Sequence, residues 1–126
     1  MKILEFDHYN LCGPRELLEQ LCLFYTETVG LTVGDRPNFE KFGYWLYVGD
    51  HAVLHLTESS QVDLTLSGQT SFNHVAFNCT GLQGFEERLA KQGVQYKTAH
   101  LRDRKRVQLF FSDPAGNGVE LNFAEE

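Results

Sequence analysis

Cysteine is sparse in this chain and odd in number: Cys12, Cys22 and Cys79, with no C-x-x-C pair. That argues against a disulfide framework, so reduced and mostly buried thiols are expected. Long apolar runs are lacking too, and none approaches the roughly 18–20 residues that a membrane span needs. The opening Met1-Lys2-Ile3-Leu4-Glu5-Phe6-Asp7 meets an acid too early for the apolar stretch of a signal peptide, so the cytoplasm is the expected location. Positive charge is in deficit, with Lys+Arg 11 against Asp+Glu 17 and a net charge of -6. Nucleic acid is therefore not an expected partner, and neither is a membrane. What remains is a chain of 126 residues, 42% hydrophobic, which is enough to bury one compact core.

The most informative feature is a pattern that occurs twice. Phe6-Asp7-His8-Tyr9-Asn10-Leu11 returns as Phe72-Asn73-His74-Val75-Ala76-Phe77, each a short β-prone run with His third. A helical segment follows each copy. The first spans about Pro14 to Val29, with Leu17, Leu18, Leu21, Phe24 and Tyr25 at helical spacing and Gly30 as its stop. The second spans about Leu82 to Gln92, with Thr80 and Gln83 fitting a capping box, Phe85 and Leu89 on the buried face, and Gly93 as its end. Strand-like runs then follow: Leu31–Val33, Tyr44–Val48 and Ala52–Leu56 in the first half; Val94–Tyr96, Val107–Phe111 and Gly118–Phe123 in the second. Gly49-Asp50 and Asp113-Pro114-Ala115-Gly116-Asn117 are turn chemistry. The expected fold is α+β, a single domain of two tandem βαβββ modules (about 1–57 and 71–126) joined by a polar linker at about 58–70. Cupped mixed sheets would carry the helices on their outer face.

The repeat places polar residues inside its strands at matching positions. His8 corresponds to His74, and His55 to Glu120, with the same offset to within one residue. Alternation along a strand puts His55 opposite in sense to Leu54 and Leu56, and Glu120 opposite to Val119 and Leu121. The apolar neighbours can pack under the helix while His8, His55, His74 and Glu120 share the other face. A carboxylate among apolar neighbours is costly to bury unpaired. Three imidazoles and one carboxylate around a cation would remove that cost, and they suit zinc, nickel, cobalt, manganese or iron. Taken singly, each of these residues also reads as an ordinary core or surface side chain, and His51 competes with His55. The match across the repeat favours the metal reading.

The same residues resemble the glyoxalase/bleomycin resistance protein/dioxygenase (vicinal oxygen chelate) superfamily from Phe6 to Phe123. The resemblance is carried by Asp7-His8, by Phe24-Tyr25 followed by Val29-Gly30-Leu31, by Asn73-His74-Val75-Ala76-Phe77, and by Phe111-Ser112-Asp113-Pro114-Ala115-Gly116-Asn117-Gly118-Val119-Glu120. It implies paired βαβββ modules, a divalent metal at His8, His55, His74 and Glu120, and chemistry on a small oxygen-bearing substrate through a metal-stabilised oxyanion or enolate. It also implies a homodimer whose sites are shared between chains. The chain departs from particular members. Phe110 stands where ring-cleaving dioxygenases and fosfomycin transferases carry Tyr, and His100 sits just outside the catalytic-His window of the dioxygenases. Cys12 stands where glyoxalase I carries a glutathione-binding Arg, and His55 replaces its Glu.

His55 is therefore expected either to complete the metal shell or to act as the proton acceptor. Asn10 and Asn122, two residues beyond ligands, are candidate substrate-binding groups, or else ordinary strand polar residues. Trp45, Tyr47 and Phe110 are candidate pocket walls against core packing. Arg104, in the run Arg102-Asp103-Arg104-Lys105-Arg106, is a candidate to hold an anionic substrate, against a solvated hairpin loop. Lyase, isomerase and oxygenase chemistry all stay open. The alternative from another class is a metal-free protein that sequesters a small molecule.

Overall fold

The computed structural model describes residues 1–59 and 72–125, and the chain divides into two compact units, Met1–Gly68 and Gln69–Glu126. Unit 1 runs β1 (Tyr9–Gly13), α1 (Arg15–Phe24), β2 (Thr32–Gly34), β3 (Gly43–Val48) and β4 (His51–Glu58). Its sheet has the order β1-β4-β3-β2, with β1 parallel to β4 and the other pairs antiparallel. The helical spacing of Leu18, Leu21 and Tyr25 gives α1 and the turn after it one apolar stripe. That stripe is fully buried, as are Leu46, Leu54 and Leu56 of the sheet it packs on. Each such Leu contributes about 1.5–3 kcal/mol by leaving water. The helix closes with a π turn over Tyr25–Val29, where Thr26 Oγ1 donates to the Cys22 carbonyl at 2.8 Å. Gly30, at φ 104, takes the left-handed position that ends it.

Unit 2 repeats the plan with β5 (His74–Cys79), α2 (Leu82–Lys91), β6 (Lys97–Leu101), β7 (Arg106–Ser112) and β8 (Gly118–Ala124). The order is β5-β8-β7-β6, again with the first and last strands parallel. Leu89, Val107, Leu109, Phe111, Val119, Leu121 and Phe123 form its core, and Phe85 of α2 meets Phe123 edge-on at 5.6 Å. The Asp113–Asn117 turn is tied by the Asp113 carboxylate, which accepts from the backbone N–H of Ala115 and Asn117, both at 2.9 Å. The α+β class and the duplicated βαβββ order are thus as the sequence leads one to expect.

Local departures have physical causes. The first strand begins at Tyr9, so His8 precedes it and Phe6 is 69% exposed rather than part of a strand face. Helix α2 is not entered through a Thr80–Gln83 box: Gly81, at φ 82, is its N-cap, and Gln83 Nε2 donates instead to Glu87 Oε1, one turn on, at 3.1 Å. The sixth strand is Lys97–Leu101, not Val94–Tyr96. Gly93 turns the chain at φ 69, and the Tyr96 hydroxyl is held to Glu86 of α2 at 3.1 Å, so that segment spans from helix to sheet. The expected linker begins at Glu58, which is the last residue of β4; its residues 60–70 lie outside the described residues. The thiols are free, with Cys22 and Cys79 half-buried and held above their ordinary pKa by burial, but Cys12 is exposed. No helix among the described residues is long and apolar enough to cross a membrane.

Candidate functional site

In unit 1, alternation along β4 turns His55 away from the buried Leu54 and Leu56. Its cross-strand neighbours are Trp45 on β3 and Asn10 on β1. The Trp45 and His55 rings stack at 4.0 Å and 8°, and His8 stacks on the other side of His55 at 3.7 Å and 15°. His8 Nδ1–H donates to Asp7 Oδ2 at 2.6 Å. A carboxylate only accepts, so in the neutral ring this bond places the lone pair of His8 on Nε2. The same bond, with the nearby histidines, holds the Asp7 carboxyl below its ordinary pKa, and His51 Nε2 donates to the Asp7 carbonyl. Burial, then the adjacent His8, pushes the pKa of His55 down, so its imidazole is neutral at neutral pH. Asn10 is tied on both sides: its Oδ1 accepts from Thr57 Oγ1 at 2.8 Å and its Nδ2 donates to Cys12 Sγ at 3.0 Å. Tyr47 lies on the Trp45 side of β3 with its hydroxyl donated to the Asp35 carbonyl.

In unit 2, β8 turns Glu120 away from Val119 and Leu121, and the carboxylate is nevertheless only 8% exposed. Asn122 Nδ2 donates to Glu120 Oε2 at 2.8 Å, and Gln108 Nε2 in turn donates to Asn122 Oδ1 at 3.0 Å. Phe110 stands opposite Glu120 in the β7–β8 register. His74 Nδ1–H donates to Asn73 Oδ1 at 2.8 Å, which leaves its Nε2 as an acceptor 3.4 Å from Glu120 Oε1. With the imidazole neutral, two acceptors face each other there; with it protonated, the two groups form an ion pair. A cation between them, either a metal ion or a proton on His74, removes the conflict. The spacing fits a metal: two ligands bonded at about 2.0–2.2 Å with angles of about 90–110° lie about 3–3.5 Å apart.

Each unit thus brings together one pair of the expected ligands, and among the described residues no group of three His, Cys, Asp or Glu is placed to hold a metal ion. Arg104 is exposed, within 3.9 Å of Asp103. Sequence reasoning missed Asp7 and Asn73 as orienting groups, although the signal was present: each precedes the repeated His in its copy. Gln108, which braces Asn122, carried no comparable signal.

Partners of this kind fix the tautomer and aim of a ligand histidine, and their loss typically costs about 10–100-fold in metal affinity. Asp7→Ala is accordingly expected to weaken divalent-metal binding by about tenfold and to mix the His8 tautomers in ¹⁵N NMR. An unchanged affinity with an unchanged ring spectrum would remove Asp7 from the site.

Two mixed sheets of this topology, each bearing a His-centred polar pair on the face away from its helix, define the glyoxalase-like class. The chain belongs to the Glyoxalase/Bleomycin resistance protein/Dioxygenase superfamily, which it matches over residues 6–121. It is 30% identical over 106 residues to "Glyoxylase I 4" of Arabidopsis thaliana, covering 78% of this chain and 59% of that protein, so it spans less than two thirds of that relative's length. Among solved structures it is similar to a glyoxalase family protein from Bacillus anthracis, with 24% identity, TM-score 0.78 and coverage of 99% and 98% of the two chains. The fosfomycin resistance protein FosX from Listeria monocytogenes is similar at 15% identity, TM-score 0.72 and coverage of 98% and 95%. The antibiotic binding protein TnmS3 from Streptomyces sp. CB03234 is similar at 21% identity, TM-score 0.69 and coverage of 99% of each chain. At such identities these structures share the fold.

Proposed function

We propose that this chain is a metal-dependent enzyme acting on a small oxygen-bearing substrate, with His8, His74 and Glu120 as ligands. The observation that carries this reading is in unit 2, where His74 Nε2 stands 3.4 Å from Oε1 of the buried Glu120 carboxylate. Two imidazoles and a carboxylate suit zinc, nickel, cobalt, manganese or ferrous iron. A divalent ion there would polarise a substrate carbonyl and stabilise the oxyanion or enolate that forms, an effect of several kcal/mol in a dry site. His55 is assigned the proton transfer rather than ligation. A lone pair lies in its ring plane, and two nearly parallel rings 3.7 Å apart do not aim at one ion. His55 is neutral, and Trp45 stacked on it sets the plane in which it accepts a proton from the carbon beside the carbonyl. Trp45, Tyr47 and Phe110 wall the reacting centre against water, and Asn10 and Asn122 hold substrate oxygens or brace the ligands. Each module supplies one pair, so the working site takes a pair from each of two modules, in a homodimer that shares its sites. Lyase or isomerase chemistry is favoured over ring cleavage, because Phe110 offers no acid or base.

The test is the metal content of protein purified without added metal, followed by titration with cobalt, nickel and zinc. Near-stoichiometric retention of one divalent ion per chain is expected. A chain that neither retains nor takes up metal would overturn the proposal. It would instead favour sequestration of a flat molecule against the aromatic stack of Trp45, His55 and His8, a binding role of the kind that TnmS3, an antibiotic binding protein, is named for.

A further inference from the structure

We infer that Arg36, between β2 and β3, is the anchor for an anionic group, a carboxylate or phosphate, on the substrate of the proposed site. The inference rests on that reading only for what lies at the other end of the same molecule. Arg36 is half-buried and makes no ion pair among the described residues. One arm of its guanidinium, Nη2, donates to the Lys41 carbonyl at 3.0 Å, which fixes the group in place. Its Nε is buried and, among the described residues, has no acceptor. An unsatisfied buried donor on a charged group is costly, and an oxyanion drawn against that edge would satisfy it.

The position follows from the strands. Gly43 opens β3 opposite Thr57; a Cβ there would collide with the Leu56 carbonyl oxygen and lie 2.8 Å from Arg36 Nη2, so the glycine that the strand pairing requires also leaves the guanidinium room against the sheet. Two residues on, Trp45 carries the stack with His55 and His8. Phe39 lies under the guanidinium at 4.9 Å and reaches Trp45 at 6.1 Å, giving the cation an apolar backing. The charge of Arg36 also bears on His55, as one of the lesser influences lowering its pKa. One step of two residues along a strand is roughly 7 Å. Arg36, against Gly43, and the aromatic stack on Trp45 are thus near neighbours along one strand, which suits the anionic group of a small molecule, a short acid or a small phosphate ester. Arg104, in contrast, has Asp103 beside it at 3.9 Å, and the groove lined by His100, Arg102 and Lys105 contains Glu125.

Trp45 is the sole tryptophan, so its emission reports on this face. The experiment titrates metal-stripped, desalted protein with inorganic phosphate and with acetate at constant ionic strength. A saturable change in Trp45 emission is expected with at least one anion, and the tighter of the two distinguishes phosphate from carboxylate. Arg36→Met is expected to weaken binding about tenfold or more, since a charge-assisted contact is lost. Arg36→Lys, which keeps the charge but not the Nε donor, is expected to weaken it at least about threefold. Arg104→Ala is expected to bind as the wild type does. No saturable response in the wild type, or Arg36 variants within twofold of it, would overturn the inference. Should Arg36→Met fail to fold, Arg36→Lys decides alone. Wild-type protein that binds anion through Arg36 but never metal overturns the proposed function and leaves Arg36 standing. Protein that binds metal with no dependence of anion binding on Arg36 overturns only Arg36.

Discussion

Glu120→Ala is expected to lower divalent-metal affinity by at least about a hundredfold, beyond the usual effect of an orienting group because it removes a ligand. The same substitution in metal-free protein is expected to leave the thermal midpoint unchanged or to raise it. The two signs come from one fact. Glu120 is 8% exposed, and apart from the Asn122 amide its carboxylate faces the acceptor Nε2 of His74. Without a cation the buried charge is poorly compensated, and removing it relieves a cost. With a cation it is a ligand. If His74 and Glu120 were instead a structural ion pair with the proton on His74, Glu120→Ala would remove a favourable pair and lower the midpoint of metal-free protein, by about 1 kcal/mol or less because the His74 side chain is 44% exposed. Calorimetry with and without metal separates these cases. The variant also tests the shared dimer. Inactive Glu120→Ala and inactive His8→Ala proteins, allowed to exchange subunits, would form mixed dimers with both defects in one site and the other site intact. Some activity is expected to return, and none, despite proven exchange, would point to sites built within one chain.

The parts of this site that lie inside strands were legible because strand alternation is rigid. Once Leu54, Leu56, Val119 and Leu121 were read as core, the other faces of β4 and β8 were determined, and His55 and Glu120 lie on them. The duplication then pointed to His8 and His74 without any knowledge of tertiary structure. Illegible features depend on side-chain reach rather than periodicity. Nothing in the pattern says that Asp7 turns its carboxylate onto His8 Nδ1, or that His8 lies ahead of β1 and stacks on His55. Arg36 sits in a connection without periodicity, and its guanidinium lies against Gly43, a contact between residues of two different segments. Arg104, in the densest basic run, drew attention for charge alone. The shift of the sixth strand from Val94–Tyr96 to Lys97–Leu101 has the same origin. Both segments are short, and the Tyr96 to Glu86 bond, a tertiary contact, decides between them.

Gly118→Ala is expected to cost about 1–3 kcal/mol of stability, the usual penalty of forcing extra volume into a packed place. Gly118 opens β8 beside His74, and its N–H donates to the Asn73 carbonyl at 3.1 Å. A Cβ at this position would stand 2.6 Å from that carbonyl oxygen and 2.8 Å from His74 Cβ. Neither is the tip of a flexible side chain, so the chain at Asn73 and His74 must give way, and with it the contact that orients His74. Metal affinity is therefore expected to fall with stability, by about tenfold or more, because His74 Nε2 is displaced from Glu120. Module 1 takes a different solution at the matching place. Val53 occupies it, and the histidine there, His8, precedes the strand and leans on His55 instead. A control separates steric loss from loss of glycine as such. Gly84, on the exposed side of α2, has open space where a Cβ would go, and Gly84→Ala is expected to stabilise by about 0.5–1 kcal/mol through helix propensity. Thermal melts and cobalt titrations of the two variants decide the matter. Gly118→Ala protein that melts with the wild type and binds cobalt equally well would mean that His74 does not depend on the space above Gly118.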